Sequence, residues 1–377
     1  MYQPRFYVCE GASWHGSVEI RALRRRGRTL ALEDIFMRWL DHVMESLVWR
    51  PSGLVRSLAQ LEAKHGLLAQ FDVTPQVMGA AAGSRPLTVA ELAGGKVVAD
   101  LRLAVTRENV VVGGLQSIFA DPEAVNHYAL RRRRWRLPRH RRGTALLLGV
   151  SNGDNYYHWM LDALPRWHLA QAAGLGDYDF VLLPAKPARF QEETLDRLKV
   201  PARRRLRCSK NMVHQFERLV VPAMPFPVEE VTPWACAWVR SLFPEPGTGP
   251  EKLYLARGAG RRRLVNEAEL EQALAARGFV IVQAGQMTVA EQAQLLGNAR
   301  IVVAPHGAVL TNLLFAPTGA RLLELFHPLH KNRCYVNLAA ACGHHYASLD
   351  GTVTNQPGAE NLEYRVEVDE VLALVQG

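Results

Sequence analysis

The 377-residue chain lacks most of the signatures that announce a metal or a cofactor. Its five cysteines, Cys9, Cys208, Cys236, Cys334 and Cys342, show no CxxC spacing. That argues against a thiolate zinc site, and an odd count offers no disulfide framework. A reducing compartment is the expectation. Neither GxGxxG nor GxxxxGK[ST] occurs, so dinucleotide and P-loop readings lose support. The N-terminal MYQPRFYVCEGASWHG has no apolar signal-peptide core. No run approaches the roughly 20 apolar residues that span a bilayer. These absences predict a cytoplasmic protein, resting at most on the inner face of the cell membrane.

Acidic side chains are also in deficit. There are 36 Asp and Glu against 45 Lys and Arg, for a net charge of +9. The excess is uneven: Arg21 to Arg28 is one cluster, and Arg131 to Arg142 places eight arginines in twelve residues. Guanidinium forks suit phosphate oxygens. An anionic leaflet, a phosphate-bearing acceptor and nucleic acid are the candidate partners, beside a plain solvated loop. Only Trp135 interleaves the dense run, and no nucleic-acid reading module is recognisable, so no specific nucleic acid is expected.

What is present is an alternation of strand and helix patterns. The length suits two domains, and 48% hydrophobic residues suit a globular core. A helical region is expected over 30–70. Leu32, Phe36, Trp39, Leu40, Val43 and Leu47 recur at helical spacing, and a second helical stretch follows over about 54–68. Strands are expected within 97–112 and at Ala145 to Val150, Phe180 to Leu183 and Leu219 to Val221. Pro244 to Pro250 (PEPGTGP) reads as a linker. Domains are therefore placed at 1–243 and 253–377, joined by 244–252. The second alternates more cleanly. Strands are expected at Leu253 to Ala256, Phe279 to Val282, Ile301 to Val303 and Leu322 to Leu325. Helices are expected at Asn266 to Arg277, Thr288 to Leu296 and Leu310 to Phe315. Asn266 and Thr288 stand as N-caps, with Glu269 and Glu291 three residues on. The fold class is α/β, mostly parallel and doubly wound.

Three segments could carry chemistry. In SNGDNYYHWMLDALPRW, His158 and Asp162 are four apart and share one helix face. A carboxylate beside an imidazole can take a proton from a hydroxyl, or can simply brace the helix. Pro165 should kink or end that helix. In LYLARGAGRRRLVNE, a strand delivers Arg257 to a small-residue loop, with Arg262 and Arg263 just beyond. In IVVAPHGAVLTNLLFAPTGARLLEL, His306, Gly307 and Ala308 form a tight turn into a helix start. Such a turn presents backbone N–H groups to an anion. Two decoys carry no metal assignment. Asp177-Tyr178-Asp179 abuts a strand, and the adjacent His344 and His345 would point to opposite faces.

In that order and at those separations, the three segments resemble glycosyltransferase family 61 over roughly residues 100–330. The resemblance implies a GT-B-like fold, two Rossmann-like domains facing a cleft. It also implies inverting, metal-independent transfer from a nucleotide sugar, UDP-linked by expectation, with no separate cofactor. Bacterial members of the family serve capsule and exopolysaccharide synthesis, so a glycan or lipid-linked acceptor is implied. His306, Gly307, Ala308 and Asn312 match the family's HGAGLTN turn. Arg257, Arg262 and Arg263 match its arginine-rich segment. Asn155, His158 and Asp162 match its N-terminal-domain motif. Val309 departs from a common glycine, Ala256 from a common serine, and the loop after Arg257 is about one residue short. The expected roles are Asp162 as base with His158 orienting it or sharing the proton, the arginines and the 306–308 turn on the diphosphate, and Glu324 on ribose hydroxyls. A non-catalytic protein that binds nucleic acid or an anionic polymer is the alternative. The sequence leaves the oligomeric state open.

Overall fold

The computed structural model describes residues 55–376 apart from 57, 79–85, 99–102, 114–136, 151–152, 210–211, 226–229, 259–261 and 356–361. The expected helix over 30–48 and the arginines at 21–28 and 131–136 lie outside the described residues. The helix expected over 54–68 is a correction. Short 3-10 turns at Leu58–Gln60 and Ala63–His65 lead to a strand, Leu67–Asp72. Gly66 stops the turn at φ +87, the left-handed conformation that glycine adopts at least cost. Beyond it, burial alternates along Leu67–Asp72 with the period of a strand.

A ten-stranded sheet holds the first half. Arg205–Cys208, Phe180–Pro184, Arg139–Leu146 and His214–Pro222 lie side by side in parallel. His214–Pro222 then pairs antiparallel with Thr88–Ala93 and Lys96–Val98. The second half builds a five-stranded parallel sheet in the order Val280–Val282, Lys252–Leu255, Ile301–Pro305, Arg321–Phe326, His345–Asp350. Its central strands are buried along nearly their whole length. A parallel strand covered on both faces reads as a continuous apolar run, which is why these strands were legible. A small third sheet pairs Arg262–Leu264 in parallel with Leu362–Arg365.

One core runs through both halves. Leu146, Leu148, Trp159 and Leu161 belong to the same buried cluster as Leu253, Val302, Leu313 and Leu338. The helix Pro233–Ser241 contributes Ala235 and Val239 to that cluster, and Arg240 donates to the carbonyl of Leu314 at 2.7 Å. The Pro/Gly-rich 244–250 segment lies pressed against the Val289–Leu296 helix. Thr248 and Gly249 both donate to the Gln294 carbonyl, at 2.9 and 3.2 Å. A Cβ on Gly247 would lie 2.2 Å from the Gly297 backbone, so only glycine fits.

The two expected N-caps differ. Thr288 forms the capping box, its Oγ1 accepting from Glu291 N at 3.1 Å and its N donating to Glu291 Oε2 at 2.6 Å. Asn266 does not cap. Its amide instead clamps Val366, donating to the carbonyl at 2.9 Å and accepting from the N–H at 3.2 Å.

His214, 2% exposed, supplies a pH dependence of stability. Its Nδ1 accepts from Arg141 Nε at 3.2 Å. Burial, then Arg141 and Arg139, bring its pKa down to about 4. In the unfolded chain the ring titrates near ~6.5, so between those values the unfolded state holds more protons. Stability is therefore full above about pH 6.5 and falls on acidification toward pH 4, by at most ~1.4 kcal/mol per pH unit. Melting temperatures of the wild type and His214→Gln across that window should diverge, the variant showing the flatter profile.

Candidate active site

The His158 segment opens where a strand runs out. Arg139–Leu146 overlaps only the first two residues of the expected strand, and 147–150 continue as buried chain. Asn155 then starts the helix: its Oδ1 accepts from Tyr157 N at 2.9 Å and its carbonyl from Trp159 N at 2.9 Å. Asn155 is thus a local cap. The His158–Ala163 helix ends just before Pro165, as expected, and Pro165 opens the next one. The ladder widens to π geometry over His158–Ala163, with Leu164 N bonded to Trp159 O at 2.8 Å, and Pro165 sits at the start of Pro165–Ala172. A missing N–H is tolerated at that position, and π-bulges collect at functional sites.

Within that widened turn His158 Nδ1 lies 2.6 Å from Asp162 Oδ2. The Asp162 side chain is 5% exposed and that of His158 15%, so the carboxylate lies behind the imidazole. Burial raises the pKa of Asp162, and the hydrogen bond and charge of His158 oppose it. Arg166, fully buried, fixes the approach to this site. It donates to the carbonyls of Leu148, Gly149 and Pro222 at 2.7–3.0 Å.

The second group stands at the C-terminal ends of the parallel strands, where open α/β sheets hold ligands. His306 follows Ile301–Pro305. Its Nδ1 lies 2.5 Å from Glu324 Oε1, and its Nε2 lies 3.0 Å from Asn332 Nδ2. The amide Nδ2 can only donate, so Nε2 accepts and the ring proton is assigned to Nδ1. Both ring nitrogens are engaged, and His306 acts as a brace for its turn. Arg257 crosses that turn, donating from Nη1 to the His306 carbonyl. A Cβ at position 307 would lie 2.7 Å from the same Nη1, so a side chain there would push the guanidinium aside. Ala308 then begins a 3-10 helix, Ala308–Phe315, whose leading N–H groups have no acceptor within the helix.

Three of the expected ligand residues have other partners in the structure. Glu324 is 0% exposed, with one oxygen on His306 and the other accepting from Tyr346 Oη at 2.9 Å. Asn312 is 0% exposed; it accepts from Tyr156 Oη at 2.7 Å and donates to Gln292 Oε1 at 2.5 Å. It ties the two halves together. Arg263 lies on the other face of its strand from Arg262, exposed near Glu363.

Arg257 and Arg262 remain. Arg257 Nε and Arg262 Nη1 are buried without a hydrogen-bond partner. Burial, then Arg257, lowers the pKa of Arg262. Glu267 does not meet these guanidiniums; it accepts from the backbone N–H of Arg257 at 2.9 Å and of Gly258 at 3.2 Å. Buried donors left unpaired are costly, and Arg257 lies close enough to Arg262 to lower its pKa.

A chain of rings joins the two groups. Tyr157 meets His158 at 5.3 Å and Tyr335 at 5.7 Å between centroids, and Tyr335 meets His306 at 5.4 Å. Beside them a cavity of 400 Å³ opens between the halves, lined by Tyr156, Arg189, Phe190, Gln286, Gln292 and Val309. The site thus brings together His158, Asp162, Arg257, Arg262 and the 306–308 turn. Two residues in it were not anticipated from sequence, His327 and His330, although both follow directly on the strand Arg321–Phe326. Histidine just past a buried parallel strand was the available signal. The Asp177 and Asp179 carboxylates have other work: Asp179 accepts from Thr144 N at 2.8 Å, and Asp177 is 3.3 Å from Arg204.

This is an α/β protein with cationic groups at strand ends and a His–Asp pair joined to them through aromatic rings. Residues 156–323 match the family model Glycosyltransferase 61. The chain is similar to the EGF domain-specific O-linked N-acetylglucosamine transferase of Gallus gallus, 35% identical over 97 residues, or 24% of this chain and 18% of that one. A beta-1,2-xylosyltransferase of Oryza sativa subsp. japonica is 38% identical over 85 residues, 22% of this chain and 15% of that protein. The human protein O-linked-mannose beta-1,4-N-acetylglucosaminyltransferase 2 is 38% identical over 81 residues, 21% and 14% of the two chains. The chain therefore spans less than a fifth of the length of these relatives. The matched region contains His158, Asp162, Arg257, Arg262 and His306. No helix among the described residues is long and apolar enough to cross a membrane.

Proposed function

We propose that the protein is an inverting, metal-independent glycosyltransferase. In this reading it moves a sugar from a nucleotide diphosphate donor, UDP-linked by preference, to a glycan or lipid-linked acceptor of a bacterial surface polysaccharide. The two halves act as the two domains of a GT-B-like enzyme, with donor on the second and acceptor on the first. One observation carries the reading: inside the family-matched region a His–Asp pair is linked through Tyr157, Tyr335 and His306 to guanidinium donors that are buried without a partner.

Roles follow from the geometry. Asp162 was the base expected from sequence. Its burial and the lesser burial of His158 favour the reverse assignment. Asp162 holds Nδ1 of His158 and leaves Nε2 to meet the acceptor hydroxyl. The acceptor oxygen attacks the anomeric carbon, its proton passes to Nε2, and the carbon–oxygen bond to the β-phosphate breaks. Negative charge then grows on the departing diphosphate, facing Arg257, Arg262 and the amides after His306.

Thermal-shift measurement with UDP-, GDP- and CMP-linked sugars tests donor binding, because a ligand specific for the folded state raises Tm. One nucleotide class should stabilise the wild type, and Arg262→Ala should weaken that binding by about 10-fold or more, as loss of a charged hydrogen bond does. Equal shifts in wild type and variant would remove Arg262 from the donor site. Transfer to an added acceptor, followed by chromatography of the product, then reports linkage and configuration. Exposed Arg139 and Arg142, at the end of the basic run, suit docking on an anionic leaflet in the same scheme.

A further inference from the structure

The turn His327-Pro328-Leu329-His330 adds two nitrogens to the anion site. It is closed by His330 N donating to the His327 carbonyl at 2.9 Å. Inside the turn, Leu329 N lies 3.1 Å from His327 Nδ1. A backbone N–H only donates, so Nδ1 accepts and the proton of the neutral ring sits on Nε2. That Nε2 is buried, with no hydrogen-bond partner, on a side chain 2% exposed. It joins Arg257 Nε and Arg262 Nη1 as a third buried donor without an acceptor. The ring is held edge-on by Tyr364, with centroids 5.6 Å apart.

His330 occupies the exposed rim of the same group, its ring 5.5 Å from that of His306. Charged and titratable groups reach it from every side. Arg262 comes from the Arg262–Leu264 strand, Arg257 from the end of Lys252–Leu255, His306 from the end of Ile301–Pro305, and His327 from its own turn. The nearby negative charges are committed elsewhere. Glu324 lies behind His306, and Lys331, next in sequence, pairs with Asp350.

We propose that His327 and His330 complete a diphosphate site, His327 as a fixed neutral N–H donor and His330 as a group that takes up a proton when the diphosphate enters. This rests on reading the crevice as the nucleotide-sugar site. In the free protein, the partial desolvation of its ring and then Arg262, His306, Arg257 and His327 hold His330 down to about 4, so it is neutral at pH 7. A bound dianion reverses the local field, which favours the imidazolium. Binding and protonation are then linked, and affinity rises as pH falls from about 8 to 6.

Isothermal titration calorimetry of the full chain at pH 7, in buffers of different ionisation enthalpy, measures the proton count. UDP-N-acetylglucosamine, UDP-glucose and GDP-mannose are the probes. Their diphosphate diesters do not titrate near neutrality, so any proton gained belongs to the protein. The expected result is net uptake approaching one proton in the wild type and none in His330→Gln, which binds several-fold more weakly. His330→Lys, with a permanent charge, should bind at least as tightly as wild type, without uptake and with a flat pH profile. His327→Phe should lose about tenfold in affinity at every pH. Wild-type binding without proton uptake, or uptake that persists in His330→Gln, would overturn the proposal while leaving the donor site intact. Absence of binding to every probe would instead overturn the reading of the crevice itself, and this proposal with it.

Discussion

Replacing His158 by glutamine is expected to slow sugar transfer by about 10²- to 10⁴-fold, the usual contribution of a positioned acid–base group. Donor affinity should change little, because the anion site lies on the other half. The mutation separates two assignments. If Nε2 of His158 takes the acceptor proton, the glutamine variant loses that step and no other group replaces it. Asp162→Asn then acts through orientation: an amide can still occupy the 2.6 Å contact with Nδ1, but without the charge that fixes the tautomer and steadies the imidazolium. Its loss should be smaller than that of His158→Gln and greatest in kcat. Were the carboxylate itself the base, the order would invert. Rates at saturating donor, with dissociation constants measured in parallel, decide between the two.

Burial argues for the histidine. Asp162 is buried along with its helix neighbours Trp159, Met160 and Leu161, and burial disfavours its ionised form. A carboxylate in that position is well placed to polarise a neighbour and poorly placed to meet a sugar hydroxyl. Spacing of four residues predicted the pair but not which member lies in front. That depends on helix rotation against the core, and here also on the π widening at Pro165, which no periodicity announces.

The same limit separates the legible from the hidden elsewhere. Strands Ile301–Pro305 and Arg321–Phe326 were readable because burial on both faces demands continuous apolar residues. The Thr288 cap was readable because its partners lie three residues away. Asn266 has the same local pattern, yet its amide turns to Val366, a hundred residues distant in sequence. Local rules cannot see that competition. Arg262 and Arg263 looked equivalent until strand register put one over the site and the other in solvent. Glu324 looked like a ligand contact because a carboxylate in an apolar strand suggests function. Its function is internal, since both oxygens serve His306 and Tyr346. The helix expected over 54–68 gave way to a two-residue strand and short 3-10 turns, and at Gly66 one left-handed residue set the chain into strand alternation.

Arg166 shows how far a structural residue can govern the site, and its removal should have the largest effect on stability. Arg166→Leu is expected to cost about 3–5 kcal/mol, the range for breaking a buried charged network. Two terms compete. Leucine relieves a desolvated guanidinium, whose pKa burial pulls down to about 9, so it still folds charged at neutral pH. Against that, the carbonyls of Leu148, Gly149 and Pro222 lose their donor. Each unpaired buried acceptor costs about 1–3 kcal/mol, so three outweigh the relief. At roughly 2–4 °C per kcal/mol for a large domain, Tm should fall by about 10 °C. Arg166→Lys should recover part of the loss, since one ammonium cannot span carbonyls from two strand ends as a planar fork does. The Leu148 and Gly149 carbonyls lie where the chain leaves its strand for the His158 turn, so loosening them displaces the imidazole as well. Both variants should therefore turn over more slowly than wild type even at temperatures where circular dichroism finds them folded. A variant with lowered Tm and undiminished kcat would mean that the guanidinium supports the core alone and has no part in placing His158.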